Sequence, residues 1–64
     1  MRVRFAQFAS RPYTREDLDR LTEEEEQVLI MRRRGKSVVQ VADALCMSAE
    51  SVYRRERSIR SKLL

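Results

Sequence analysis

A chain of 64 residues with 14 Lys or Arg against 10 Asp or Glu, 42% apolar and 38% charged residues and a net charge of +4 has room for one small domain. That size excludes a barrel, a doubly wound sheet or a deep cofactor cleft, and a domain so small buries only about 60% of its unfolded surface, so an all-helical fold or help from a partner chain is expected. With one Gly and one Pro there is little punctuation for a meander of strands, and good helix formers are abundant, which directs the fold to all-α.

Several chemistries fall with the composition. Without His there is no His-based triad, metal site or proton shuttle, and Cys46 alone makes neither an intramolecular disulfide nor a Cys-rich zinc site. Apolar runs such as Val28–Met31 are far short of the ~20 residues that span a bilayer. The opening Met1-Arg2-Val3-Arg4-Phe5-Ala6-Gln7-Phe8 lacks the apolar stretch of a secretion signal. With no nucleophile–base pair either, the expectation is a non-enzymatic, soluble, cytoplasmic protein without cofactor or metal.

Charge is segregated along the chain. Residues 1–14 carry Arg2, Arg4 and Arg11 and no acid. Residues 15–26 carry Glu16, Asp17, Asp19 and Glu23–Glu26 against Arg15 and Arg20. Residues 27–64 carry nine Lys or Arg against Asp43, Glu50 and Glu56. A basic block on a helix is the footprint of a polyanion partner, although a solvated helix face has the same composition.

Residues 1–13 form an N-terminal arm holding three of the four aromatics, Phe5, Phe8 and Tyr13. Val3 and Phe5 are spaced as on a strand, Phe5, Phe8 and Ala9 as on a helix, and the pattern does not choose between them. Arg11-Pro12 marks a break. Thr14 reads as the N-cap of a short helix from Arg15 to about Arg20, with Leu18 and Leu21 as its apolar contacts. Thr22-Glu23-Glu24-Glu25 fits a capping box, and the four glutamates suit the positive end of a helix dipole. That helix continues through Val28, Leu29 and Met31 to a stop near Gly35, with Arg32–Arg34 in its last turn.

Ser37 caps a third helix whose apolar positions are Val38, Val41, Ala42 and Leu45. Cys46-Met47 is a tight connection, and Cys46 reads as a small buried hydrophobe. Ser48 caps a long last helix from about Ala49 to Lys62. Val52, Ile59 and Leu63 fall within about 40° on its wheel; Glu50, Arg54, Arg57 and Ser61 lie opposite. Glu56 falls inside the apolar stripe, so it needs an ion-pair partner, either Arg60 or a cation among Arg32–Arg34. Two short helices joined by a tight turn, the second with outward Arg and Tyr, make a helix-turn-helix.

The residues also carry a family resemblance. Leu21–Leu29, Gly35-Lys36-Ser37, Gln40–Leu45, Met47–Val52 and Ile59–Leu63 together resemble the ordered pattern of LuxR/GerE-type DNA-binding domains and of region four of bacterial sigma factors. The likeness covers residues 21–63 in one register. It departs at Glu24, where an Arg is usual, and at Cys46, where the turn often has Gly. The paired fourth helix of LuxR-type domains is expected to be absent after Leu64, as in sigma region four.

The resemblance implies a small helix-turn-helix bundle of three to four helices at residues 14–64 that binds double-stranded DNA as a transcriptional regulator. Carried over position by position, Ala49, Glu50, Tyr53, Arg54 and Arg57 are the base-contact candidates. Lys36, Ser37, Arg55, Arg60 and Lys62 are the phosphate candidates, while Tyr53 has packing on the core edge as its alternative. Paired half-sites call for two copies, and the apolar arm, with Arg2 and Arg4 reaching the DNA, is the expected homodimer surface, folding back on its own chain being the alternative. The competing function is a protein-interaction adaptor, a sigma-like fragment that engages RNA polymerase or another protein through its acidic helix and aromatic arm.

Overall fold

The computed structural model describes residues 4–64, and among them every regular element is helical. The five helices are α1 Phe5–Ala9, α2 Arg15–Asp19, α3 Glu23–Arg33, α4 Val38–Ala44 and α5 Ala49–Leu63. The count exceeds the three to four expected because the arm itself contains α1. Arg2 and Val3 lie outside the described residues.

Three of the helices start on reciprocal side-chain caps, which is why their boundaries follow the sequence closely. Thr14 accepts from the Asp17 N–H, Thr22 from the Glu25 N–H and Ser37 from the Gln40 N–H, and in each case the later side chain accepts from the backbone N–H of the capping residue. Ser48 caps α5 by accepting from the Ser51 N–H at 3.1 Å. Such caps satisfy donors that the first helical turn leaves open.

Two helices end in the same way with different residues. At the end of α3 the Lys36 N–H bonds to the Met31 carbonyl and the Gly35 N–H to the Arg32 carbonyl, with Gly35 at φ +87°. At the end of α4 the Met47 N–H bonds to the Ala42 carbonyl and the Cys46 N–H to the Asp43 carbonyl, with Cys46 at φ +55°. Both are Schellman terminations, in which the residue after the cap is left-handed. Cys46 therefore does the work for which glycine is the usual choice. It is exposed, not buried as its size and apolarity predicted, because its position is set by the turn that ends α4 and not by packing.

The core is built from Leu29, Ile59, Val28, Val41 and Val52, all fully buried, with Leu21 and Ala42 beside them. Leu18, Val38, Leu45, Met47 and Leu63 pack against it partly buried. Helix α5 crosses α3 and α4, and α1 lies on α3. The α1 residues Phe5, Phe8 and Ala9 are buried in the same cluster. The Phe8 ring stands 5.8 Å from Phe5 and 5.9 Å from Tyr13, and the Tyr13 hydroxyl donates to the Phe8 carbonyl. The helical spacing of Phe5, Phe8 and Ala9 thus prevails over the strand spacing, and the arm folds back to enlarge a small core. Phe5 and Phe8, expected to pair two copies, are packed within this chain.

Candidate nucleic-acid interface

The α5 helix has a packed side and an open side. Val52, Glu56 and Ile59 face inward, while Ala49, Glu50, Tyr53, Arg54 and Arg57 are all exposed. These five are the residues expected to meet base edges, and the wheel brings them onto one face as anticipated. Tyr53 is 59% exposed, so its ring does not close over the core. The Arg54 guanidinium takes the Glu50 carboxylate at 3.1 Å, with both side chains more than 70% exposed. An exposed i,i+4 pair of this kind contributes only ~0.3–0.5 kcal/mol, so it holds Arg54 extended without locking it.

The phosphate candidates fall into two groups. Lys36 and Ser37 are exposed at the start of α4. The other three are engaged within the chain. Arg55 meets Glu24 on α3, with N···O separations of 2.8 and 3.0 Å to one carboxylate oxygen, and the pair is about half exposed. Glu24, where the LuxR-type pattern has Arg, is therefore the partner of an α5 cation. Lys62 donates to Glu25 at 2.6 Å. Arg60 is half-buried, with its guanidinium 5.5 Å from the Phe5 ring and 5.7 Å from that of Phe8.

Two carboxylates are buried under α5, and their electrostatics are opposite. Glu25 is 3% exposed. Burial pushes its carboxyl up, but hydrogen bonds from Lys62, Ser58 and the Thr22 backbone, with the Lys62 charge, outweigh this and hold the pKa down at about 2. Glu56 is 7% exposed, and Arg32 approaches its Oε2 at 3.3 Å. The ion pair demanded by its place in the apolar stripe is present, supplied by Arg32 with Arg60 adding its charge. The contact is close without hydrogen-bond alignment, since neither Arg32 Nε nor Glu56 Oε2 has a hydrogen-bond partner. Burial consequently wins over both arginines and raises the Glu56 pKa.

Comparison of the chain with protein families, curated proteins and solved structures returns no match. The functional reading therefore stands on the geometry and on the sequence pattern. Among the described residues no group of three or more His, Cys, Asp or Glu side chains is placed to hold a metal, and no helix is long and apolar enough to cross a membrane.

The fold brings Tyr53 and Arg57 to the rim of an open cleft with Arg4, Arg32 and Arg60. A second groove, between α4 and α5, is lined by Val39, Cys46, Met47 and Ala49. From the sequence alone Arg32 is a helix-end cation or a partner for Glu56. Its place in the first cleft depends on Phe5, whose ring lies 5.9 Å from its guanidinium. The helical spacing of Phe5 and Phe8 was the available signal, but not which helix they would cover.

Proposed function

We propose that this chain binds double-stranded DNA, as a transcriptional regulator does, by laying the outward face of α5 in the major groove. The observation that carries this reading is that Ala49, Glu50, Tyr53, Arg54 and Arg57 form one exposed face over the first turns of a capped 15-residue helix braced by α3 and α4. The major groove admits one α-helix, and arginine matches the O6/N7 edge of guanine with two hydrogen bonds. Lys36 and Ser37 at the start of α4 supply phosphate contacts that fix register. The resemblance of residues 21–63 to LuxR-type and sigma region four domains supports the same placement.

The test is a selection of duplexes from a random library by the full chain, followed by binding of the selected and a scrambled duplex at several salt concentrations. Binding should weaken steeply with salt. Arg54→Ala should relax preference at one defined base pair, a change of ~1–3 kcal/mol in discrimination, with helical content unchanged. A chain that selects no sequence, or an Arg54→Ala variant with unaltered preference, would remove the groove assignment.

A further inference from the structure

Helix α1 is short, and its start fixes where Arg4 lies. Arg4 is its N-terminal flanking residue and is exposed, while Phe5 next to it is buried. Phe5 anchors the helix start, so Arg4 is delivered to a fixed position on the α5 side of the molecule. There it lines an open cleft of about 570 Å³ together with Arg32, Tyr53, Glu56, Arg57 and Arg60.

Four arginines and one carboxylate, Glu56, thus line the same cleft. The inner two are fixed by the fold: Arg32 and Arg60 lie 5.9 and 5.5 Å from the Phe5 ring, Arg32 approaches Glu56 at 3.3 Å, and its Nη1 donates to the Lys36 carbonyl at 2.7 Å. Arg4 and Arg57 are exposed, and neither side chain makes an ion pair with another of the described residues. The cleft is therefore a cationic depression with two available donors and a tyrosine on its rim.

Its place on α5 decides its occupant. On the wheel Tyr53 and Arg57 lie within about 100° of Arg54, on the face given above to the major groove. A duplex seated on that face carries one of its backbones across the flank of the helix, where the cleft opens. Resting on the DNA-binding reading, we propose that the cleft between α1 and α5 seats a phosphodiester of the DNA backbone, gripped by Arg4 and Arg57. The N-terminal segment is then part of the DNA-binding surface, and Arg57 positions the duplex and does not read a base.

The experiment measures fluorescence anisotropy of a labelled selected duplex and a labelled random duplex with the full chain and its Arg4→Ala, Arg4→Lys and Arg57→Ala variants, between 50 and 200 mM KCl. One phosphate contact contributes ~0.9 to the slope of log K against log salt, which is about 3.5-fold in affinity over that range. Arg4→Ala and Arg57→Ala should each flatten the fall by about that factor and weaken both duplexes alike, and Arg4→Lys should restore the slope.

A full slope in Arg4→Ala, or a changed base preference in Arg57→Ala, overturns the cleft assignment while leaving the groove reading intact, since that reading is tested by Arg54→Ala. Displacement of DNA by inorganic phosphate at matched ionic strength, lost in Arg4→Ala, would give the cleft to a free anion and overturn the backbone assignment. A wild-type chain that binds no duplex removes both readings together.

Discussion

Replacing Glu25 by Gln isolates the most strongly held charge in the fold. The wild-type carboxylate accepts from the Thr22 N–H at 2.8 Å, from Lys62 at 2.6 Å and from the Ser58 hydroxyl. These hold its pKa at about 2, against an ordinary value of 4.5. At ~1.4 kcal/mol per unit the shift corresponds to roughly 3.5 kcal/mol. The Lys62 side chain is 37% exposed, so solvent screening reduces this to about 2 kcal/mol. A folded pKa below the unfolded one contributes stability that is complete above the unfolded value and is lost as pH falls through the folded value. The window is therefore pH 4.5 down to about 2. Gln at this position keeps an acceptor for the Thr22 N–H, so the cap survives and the charge alone is removed. In a domain of this size ~1 kcal/mol moves Tm by about 4–8 °C, so Glu25→Gln should melt about 8–16 °C lower at pH 7. Urea unfolding followed by circular dichroism at half-unit steps from pH 2 to 7 should show the two proteins converging as the pH falls. Other carboxylates titrate in both and cancel in the difference. Parallel curves across that window would refute the assignment of the depressed carboxyl to Glu25.

Glu56→Leu should gain stability on the wild type as the pH rises towards 7, because a folded pKa raised by burial means that ionising the carboxyl costs more in the fold than in the unfolded chain. The sign is opposite to that of Glu25: the contribution of Glu56 is complete below its unfolded value near 4.5 and is lost as pH rises through the higher folded value, so the advantage of the variant should appear on raising the pH from 4 to 7 in denaturant titrations. A gap between the two proteins that stays constant over that pH range would show that the Arg32 contact offsets burial. Cys46→Gly should stabilise by about 1 kcal/mol and raise Tm by several degrees, since a left-handed residue at φ +55° carries ~1–2 kcal/mol of strain that glycine lacks, less the entropy glycine loses on folding; an unchanged or lower Tm in calorimetry would contradict this.

The parts of the fold that were legible in the sequence are those set by local chemistry. Thr14, Thr22, Ser37 and Ser48 each bond to a backbone N–H three residues on, so a four-residue window is enough to find them. The wheel of α5 found both the buried stripe and the intruding Glu56, because one helix face is read from one segment. What escaped depends on packing between segments distant in sequence. Arg4, the flanking residue of α1, makes no side-chain cap, and the helix is held instead by Phe5 and Phe8 against α3. Glu25 was readable as a cap but not as the partner of Lys62, 37 positions away. The exposure of Cys46 was missed because its composition suggested burial, while the Schellman hydrogen bonds that place it depend on the backbone of α4. The cleft needs α1, α3 and α5 together, so it belongs to the same class.

The two buried carboxylates bear on why this small domain keeps Glu56. Glu25 stabilises the fold at neutral pH, and its position is explained by stability alone. Glu56 differs: burial outweighs both of its arginines, so its ionisation costs more in the fold than in the unfolded chain. Its charge has counterparts in its surroundings. Arg32 and Arg60 are both held near the ring of Phe5, and two like charges so placed repel each other in a partly buried site. The carboxylate beside them offsets part of that repulsion, and the cleft that Arg4 and Arg57 also line keeps a net positive charge. The acidic residue in the apolar stripe and the helix built from the N-terminal arm are then parts of one cationic surface.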